Sequence, residues 1–139
     1  MPLSDIIKSS VISCSPEDSI KSAADKMKKH DVGAILVLDS AEKPLGIVTD
    51  RDIVLRCVCE KQTLDCKVSD VMTKSVSTVK ATEGIQDVIR HMREDEIRRV
   101  PVVDESGKAV GLVSFGDIVG LLAKELGDIS SATSFDAAA

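Results

Sequence analysis

Two short stretches carry the side chains best placed for chemistry. In the first, Gly46-Ile47-Val48 leads into Thr49-Asp50-Arg51-Asp52; in the second, Gly111-Leu112-Val113 leads into Ser114-Phe115-Gly116-Asp117. Each consists of a glycine, an aliphatic pair suited to a buried strand, a hydroxyl residue and, three positions on, an aspartate followed by Ile-Val. A strand running straight into a helix puts the hydroxyl and the carboxylate in the first helical turn. There, unpaired backbone N–H groups and the positive end of the helix dipole favour an anion. The same spacing also fits a capping box, in which the hydroxyl accepts from a backbone N–H and the acid reaches back, with no ligand involved. On the motif alone both readings stand.

Other chemistry is thinner. Asp50, Asp52 and Asp117 are the candidates for a metal- or nucleotide-dependent hydrolase, but no Gly-rich loop ending in Lys and Ser or Thr accompanies them. His30 and His91 lie in helix stripes among Lys and Arg, not beside a hydroxyl or thiol that they would activate. The cysteines are Cys14, Cys57, Cys59 and Cys66, and Cys-x-Cys followed by a lone Cys lacks the paired spacing of a structural zinc site. The cysteines read as buried or half-buried free thiols in a reducing cytosol, with a metal or a regulatory disulfide as the alternative, and no metal ligand is assigned.

Composition narrows the partners. A net charge of −5 argues against a sequence-independent grip on nucleic acid, and Phe115 and Phe135, the two aromatic residues, give no stacking platform. No apolar run approaches the ~20 residues needed to cross a bilayer. Met1-Pro2-Leu3-Ser4-Asp5 is not a basic segment leading into an apolar core, so the expectation is an unprocessed cytoplasmic protein without membrane contact.

The two motifs are positioned by an internal repeat. Gly46 and Gly111 lie 65 positions apart, and that offset also relates Val11 to Val76, Ile20 to Ile85, Met27 to Met92, Val37 to Val102, Asp39 to Asp104 and Ile53 to Ile118. Two copies are too few for a solenoid, so the halves are expected to pack across a pseudo-twofold axis. In the first copy Val11-Ile12-Ser13 reads as a short strand. Ser15-Pro16-Glu17-Asp18 then supplies an N-cap and a proline at the first helical position, and Ile20, Ala23, Ala24 and Met27 form a helical apolar stripe. Ala34–Leu38 and Leu45–Thr49 are unbroken apolar runs of strand length, implying cover on both faces. A last helix runs from near Asp50 to near Cys59. The second copy repeats this order, with a stripe at Ile85, Val88, Ile89 and Met92, strands at Val100–Val103 and Val110–Val113, and a helix through Ile118, Leu121, Leu122 and Leu126. The fold class is α/β (α+β), two βαββα units spanning 3–60 and 68–127. A polar connector at 61–67 joins them, and the small-residue stretch 128–139 is expected to be disordered.

The period, the Arg99-Val100-Pro101-Val102-Val103-Asp104 strand, the Asp70-Val71-Met72-Thr73 opening and the paired Gly-h-h-[Thr/Ser]-x-x-Asp motifs (h, hydrophobic) together resemble the cystathionine β-synthase (CBS) domain in tandem, from about residue 3 to 125. The resemblance implies a regulatory, non-catalytic module binding an adenine nucleotide (AMP, ADP or ATP, or S-adenosylmethionine) in a cleft between the halves and acting on a separate target protein. By the same resemblance Asp52 and Asp117 would hold ribose hydroxyls, and Thr49 and Ser114 phosphate. Val32, Gly33 and Ala34 in one copy, and Ile97, Arg98 and Arg99 in the other, would wall the base. Ser13 and Ser15, with Thr78 and Lys80 in the second copy, are further candidates. Arg51 stands beside the first motif as a cation for phosphate, whereas the second has Phe115-Gly116. The change from Gly33 to Arg98 makes the two walls unequal, so the first site is expected to dominate. The helix stripes, more apolar surface than two small sheets cover, further imply a homodimer. A purely structural dimerisation module is the alternative.

Overall fold

The apolar runs form hairpins because each is closed by a turn that an aspartate organises. In the computed structural model, which describes residues 3–7 and 11–136, β2 (Ala34–Leu38) pairs antiparallel with β3 (Pro44–Thr49), and β6 (Arg99–Val103) with β7 (Ala109–Ser114). Asp39 Oδ1 accepts from the backbone N–H groups of Ala41 and Lys43 at 2.8 and 2.9 Å. Asp104 Oδ1, at the matching turn, accepts from those of Ser106 and Lys108 at 2.8 and 3.0 Å. The hydrogen bond from the Ser106 hydroxyl is the main cause that holds the Asp104 carboxyl below its usual range. Both hairpins also carry a register shift at the same place, Val37/Leu38 and Val102/Val103.

Each hairpin gains a short parallel strand, β1 (Ser13–Cys14) on β2 and β5 (Val79–Lys80) on β6. The helices α1 (Ile20–His30) and α4 (Ile85–Glu94) bury Ile20, Ala23 and Met27, and Ile85, Val88 and Met92, as their stripes require. The start of α1 differs from expectation. Ser15 N donates to Asp18 Oδ2 at 3.0 Å, closing a turn ahead of the helix, and the N-cap is Ser19, whose hydroxyl accepts from Ser22 N at 3.1 Å. Asp18 is drawn back to Ser15, so the helix begins where the next free hydroxyl can cap it.

The halves exchange their leading segments. Val68 and Val71, on α3 (Val68–Val71), are buried in the core of the first repeat, and β4 (Thr73–Lys74) joins its sheet beside β3. Reciprocally, Leu3, in a 3-10 turn at Leu3–Asp5, is fully buried in the second core, with Ile6 and Ile7 packed against it. This explains the glycine that opens each motif: a Cβ at Gly46 would collide with the Thr73 carbonyl, and one at Gly111 with the Ile7 side chain.

Three further features depart from the sequence reading. The helix after β3 is α-helical over α2 (Asp50–Asp52) and then winds as a π-helix from Ile53 to Cys59, where Glu60 N reaches the Leu55 carbonyl at 3.2 Å. Cys57 is joined to Cys66 by a disulfide, while Cys14 and Cys59 are free. The free-thiol expectation fails there because the connector folds back on the π-helix, a contact that no local spacing encodes. Finally, α5 runs from Phe115 to Asp136, so the stretch expected to be disordered is helical as far as it is described; residues 137–139 lie outside the described residues. Once a helix is nucleated each further residue adds a hydrogen bond, and α5 continues on that basis although residues 122–132 are exposed.

Candidate functional site

Both motifs form the strand-to-helix junction that the sequence requires. Thr49 N donates to Asp52 Oδ2 and Asp52 N to Thr49 Oγ1, each at 3.0 Å. At the second junction Ser114 N donates to Asp117 Oδ2 at 2.8 Å and Asp117 N to Ser114 Oγ at 3.1 Å. The capping boxes are therefore real. They do not exhaust the carboxylates, because each uses Oδ2 and an ionised carboxylate has roughly four acceptor positions. Asp52 Oδ1 lies 3.9 Å from Arg56 Nε, and no hydrogen bond engages Asp117 Oδ1 among the described residues.

Each junction is clamped to the segment that enters the neighbouring strand. Asp50 N donates to the Gly33 carbonyl at 3.0 Å, and Phe115 N to the Arg98 carbonyl at 2.8 Å. At the first, a Cβ on residue 33 would sit 3.0 Å from Asp50 Oδ2, so glycine leaves room for that acid. At the second, the Arg98 guanidinium lies 5.3 Å from the Phe115 ring centroid, a cation–π contact.

The junctions open onto two clefts, and each cleft is built from both repeats. One, of about 250 Å³, sets Val32, Gly33 and Ala34 opposite Ser114 and Asp117, with Val11, Ile12, Asp31, Leu36, Leu112 and Arg99 completing it. The other, of about 420 Å³, joins Thr49 and Asp52 to Ile97, Arg98 and Arg99, with Thr73, Lys74, Ser77 and Asp95 among the remaining walls. This corrects the grouping by copy: Gly33 shares a cleft with Asp117, and Arg98 shares one with Asp52. The exchange of leading segments is the physical reason, since it lays β4 beside β3 and so brings second-repeat residues to the first motif.

Several expected residues lie elsewhere. Arg51 is exposed and lines neither cleft; its backbone N donates to Asp50 Oδ1 at 2.8 Å. The Ser13 carbonyl accepts from Lys26 Nζ at 2.7 Å, Ser15 is held in its turn, and Thr78 borders neither cleft. Lys80 is also absent from both and stands 3.6 Å from Glu105. Conversely, Asp31, Lys74 and Asp95 line the clefts although neither motif marks them. Asp31 and Asp95 each directly follow an amphipathic helix, and Lys74 follows the Asp70-Val71-Met72-Thr73 opening, so their places were legible even if their roles were not. The hydrolase candidates do not converge: Asp52 and Asp117 line different clefts and Asp50 lines neither. Among the described residues no three His, Cys, Asp or Glu side chains gather as a metal site would require, and no helix is long and apolar enough to cross a membrane.

Comparison with known proteins decides the family. The CBS domain profile matches residues 3–58 and again 68–124. The chain belongs to the CBS domain family. The CBS domain pair of protein MJ0100, solved in complex with 5′-methylthioadenosine and S-adenosyl-L-methionine, superposes with a TM-score of 0.80 at 28% identity, covering 90% of this chain and 98% of that one. The CBS domain protein PAE2072 from Pyrobaculum aerophilum, complexed with AMP, gives 0.75 at 28% identity over 84% of this chain and 89% of that one. An uncharacterised protein of Methanopyrus kandleri, MK0525, is 31% identical over 116 residues, 83% of this chain, and the match spans 59% of its own length. The mixed α/β architecture with two sheets is thus that of a CBS domain pair.

Proposed function

We propose that this chain is a cytoplasmic, non-catalytic regulatory module that binds an adenine nucleotide in the clefts between its CBS repeats and passes its ligand state to a separate target protein. The observation that carries the reading is the pair of capped helix starts, each bordering a cleft whose opposite wall comes from the other repeat. At each start an aspartate has a second oxygen outside the cap, suited to ribose hydroxyls, beside backbone N–H groups that favour phosphate. AMP in PAE2072, and 5′-methylthioadenosine with S-adenosyl-L-methionine in MJ0100, support an adenosine-containing ligand.

The module acts as a homodimer in this reading. Val54 and Val58 on the π-helix, and Val119, Leu122, Leu126 and Ile129 on α5, are all more than two-fifths exposed, an apolar surface of the kind that a partner covers. The completeness of both capping boxes favours a second reading, in which the chain serves dimerisation alone. A thermal-shift screen over AMP, ADP, ATP and S-adenosylmethionine separates the two. A ligand restricted to the folded state adds about 2.7 kcal/mol at a hundredfold excess over Kd. A raised melting temperature is expected; no shift with any of them at millimolar concentration would leave dimerisation.

A further inference from the structure

The two clefts share one cation. Arg99 is half-buried, borders both, and has no carboxylate partner among the described residues. A half-buried guanidinium without a counter-ion is open to an anionic ligand in either cleft. It carries a single positive charge, which a phosphate in one cleft compensates, so that it attracts an anion in the other less.

The surroundings decide which side. In the cleft at Asp52, Arg99 is joined by Lys74, also without a carboxylate partner among the described residues, and by Arg98, whose stacking on Phe115 leaves its charge in place. Among the described residues, three cations there face two carboxylates, Asp52 and Asp95, and Asp95 is already engaged by the Ser77 hydroxyl at 2.6 Å. Among the described residues, Arg99 is the one cation lining the cleft at Asp117, against Asp31 and Asp117. Both clefts border a capped helix start, so the dipole does not discriminate between them; the side chains do. We infer that the clefts take unlike ligands: the one at Asp52 binds a phosphorylated, polyanionic nucleotide, and the one at Asp117 binds an adenosine derivative without net negative charge. A phosphate that engages Arg99 from the Asp52 side leaves the other cleft with its two carboxylates alone, which turns away a second anion and suits a neutral or cationic nucleoside. This rests on the nucleotide-binding reading above and gives it a charge class for each site.

Titration calorimetry with metal-free ATP and with adenosine tests it, on the wild type and on Asp52→Asn, Asp117→Asn and Arg98→Gln. An asparagine at either position keeps an oxygen for the capping N–H, and Arg98→Gln spares both caps; the melting temperature of each unliganded variant confirms folding. ATP is expected to bind one site per chain, weakened about tenfold or more by Asp52→Asn and by Arg98→Gln, and at least several-fold less by Asp117→Asn. Adenosine should still bind the ATP-saturated protein, and Asp117→Asn should weaken that binding. Raising NaCl from about 50 to about 500 mM should weaken ATP far more than adenosine. Two equivalent ATP sites, or a loss of ATP affinity centred on Asp117→Asn, would overturn the assignment. Binding of neither compound would overturn the nucleotide reading itself, an outcome readily told from two equal sites.

Discussion

Arg56 Nε stands 3.9 Å from Asp52 Oδ1, one helical turn along the chain, while its Nη1 donates to the carbonyls of Val71 and Met72 at 2.9 and 3.2 Å. One guanidinium thereby ties the first junction to the end of α3, immediately before the β4 strand that carries Lys74. The second repeat has Leu121 at the matching position, so this tie is particular to the Asp52 side. Arg56→Ala leaves two carbonyls without their donor and should cost about 1–3 kcal/mol. Urea denaturation monitored by circular dichroism checks it; an unchanged midpoint would mean that the contact carries no stability.

Cys14 makes the fold sensitive to alkali. Burial pushes its thiol from 9.0 up to about 11, opposed by Lys26 and assisted by Asp18. Below pH 9 the folded and unfolded chains both keep the proton, and the contribution to stability is whole. Between about pH 9 and 11 the unfolded chain releases it while the folded chain retains it, so stability falls as pH rises, by up to roughly 3 kcal/mol. Cys14→Ala should be less stable at neutral pH yet show a shallower alkaline decline in denaturation midpoint. The high value also predicts that, without reductant at pH 8, iodoacetamide modifies exposed Cys59 and spares Cys14.

The sequence made legible whatever is local or periodic. The offset between Gly46 and Gly111 carried through to matching hairpins, matching shifts at Val37 and Val102 and matching caps at Thr49 and Ser114, because each depends on a few neighbouring residues. What the offset does not encode is which half a segment packs on. Val68 and Val71 entered the first core and Leu3 the second, and that exchange set Arg98 beside Asp52 in place of Arg51. The Cys57–Cys66 pairing is of the same kind, a tertiary contact between the π-helix and a connector whose polar composition gives no hint of it. The expectation that the first site dominates drew on Arg51, which lines neither cleft; the cations lining the cleft at Asp52 are Lys74, Arg98 and Arg99.

The apolar faces of the two terminal helices bear on assembly. Light scattering at micromolar concentration should return twice the 14.8 kDa chain mass. A charge placed in that face, as in Val58→Glu or Leu122→Glu, should shift the protein toward monomer, since an unpaired carboxylate is costly to bury. A wild type that is monomeric throughout would remove the dimer from the account.

In the proposed reading an adenine base sits between the two CBS repeats, against walls that the chain supplies twice. Photolabelling with an azidoadenine analogue of AMP, followed by peptide mass mapping, tests it most directly. Adducts are expected within residues 97–99, which line the cleft at Asp52, and suppressed by excess AMP. Adducts confined to the exposed outer faces, or unaffected by AMP, would contradict it.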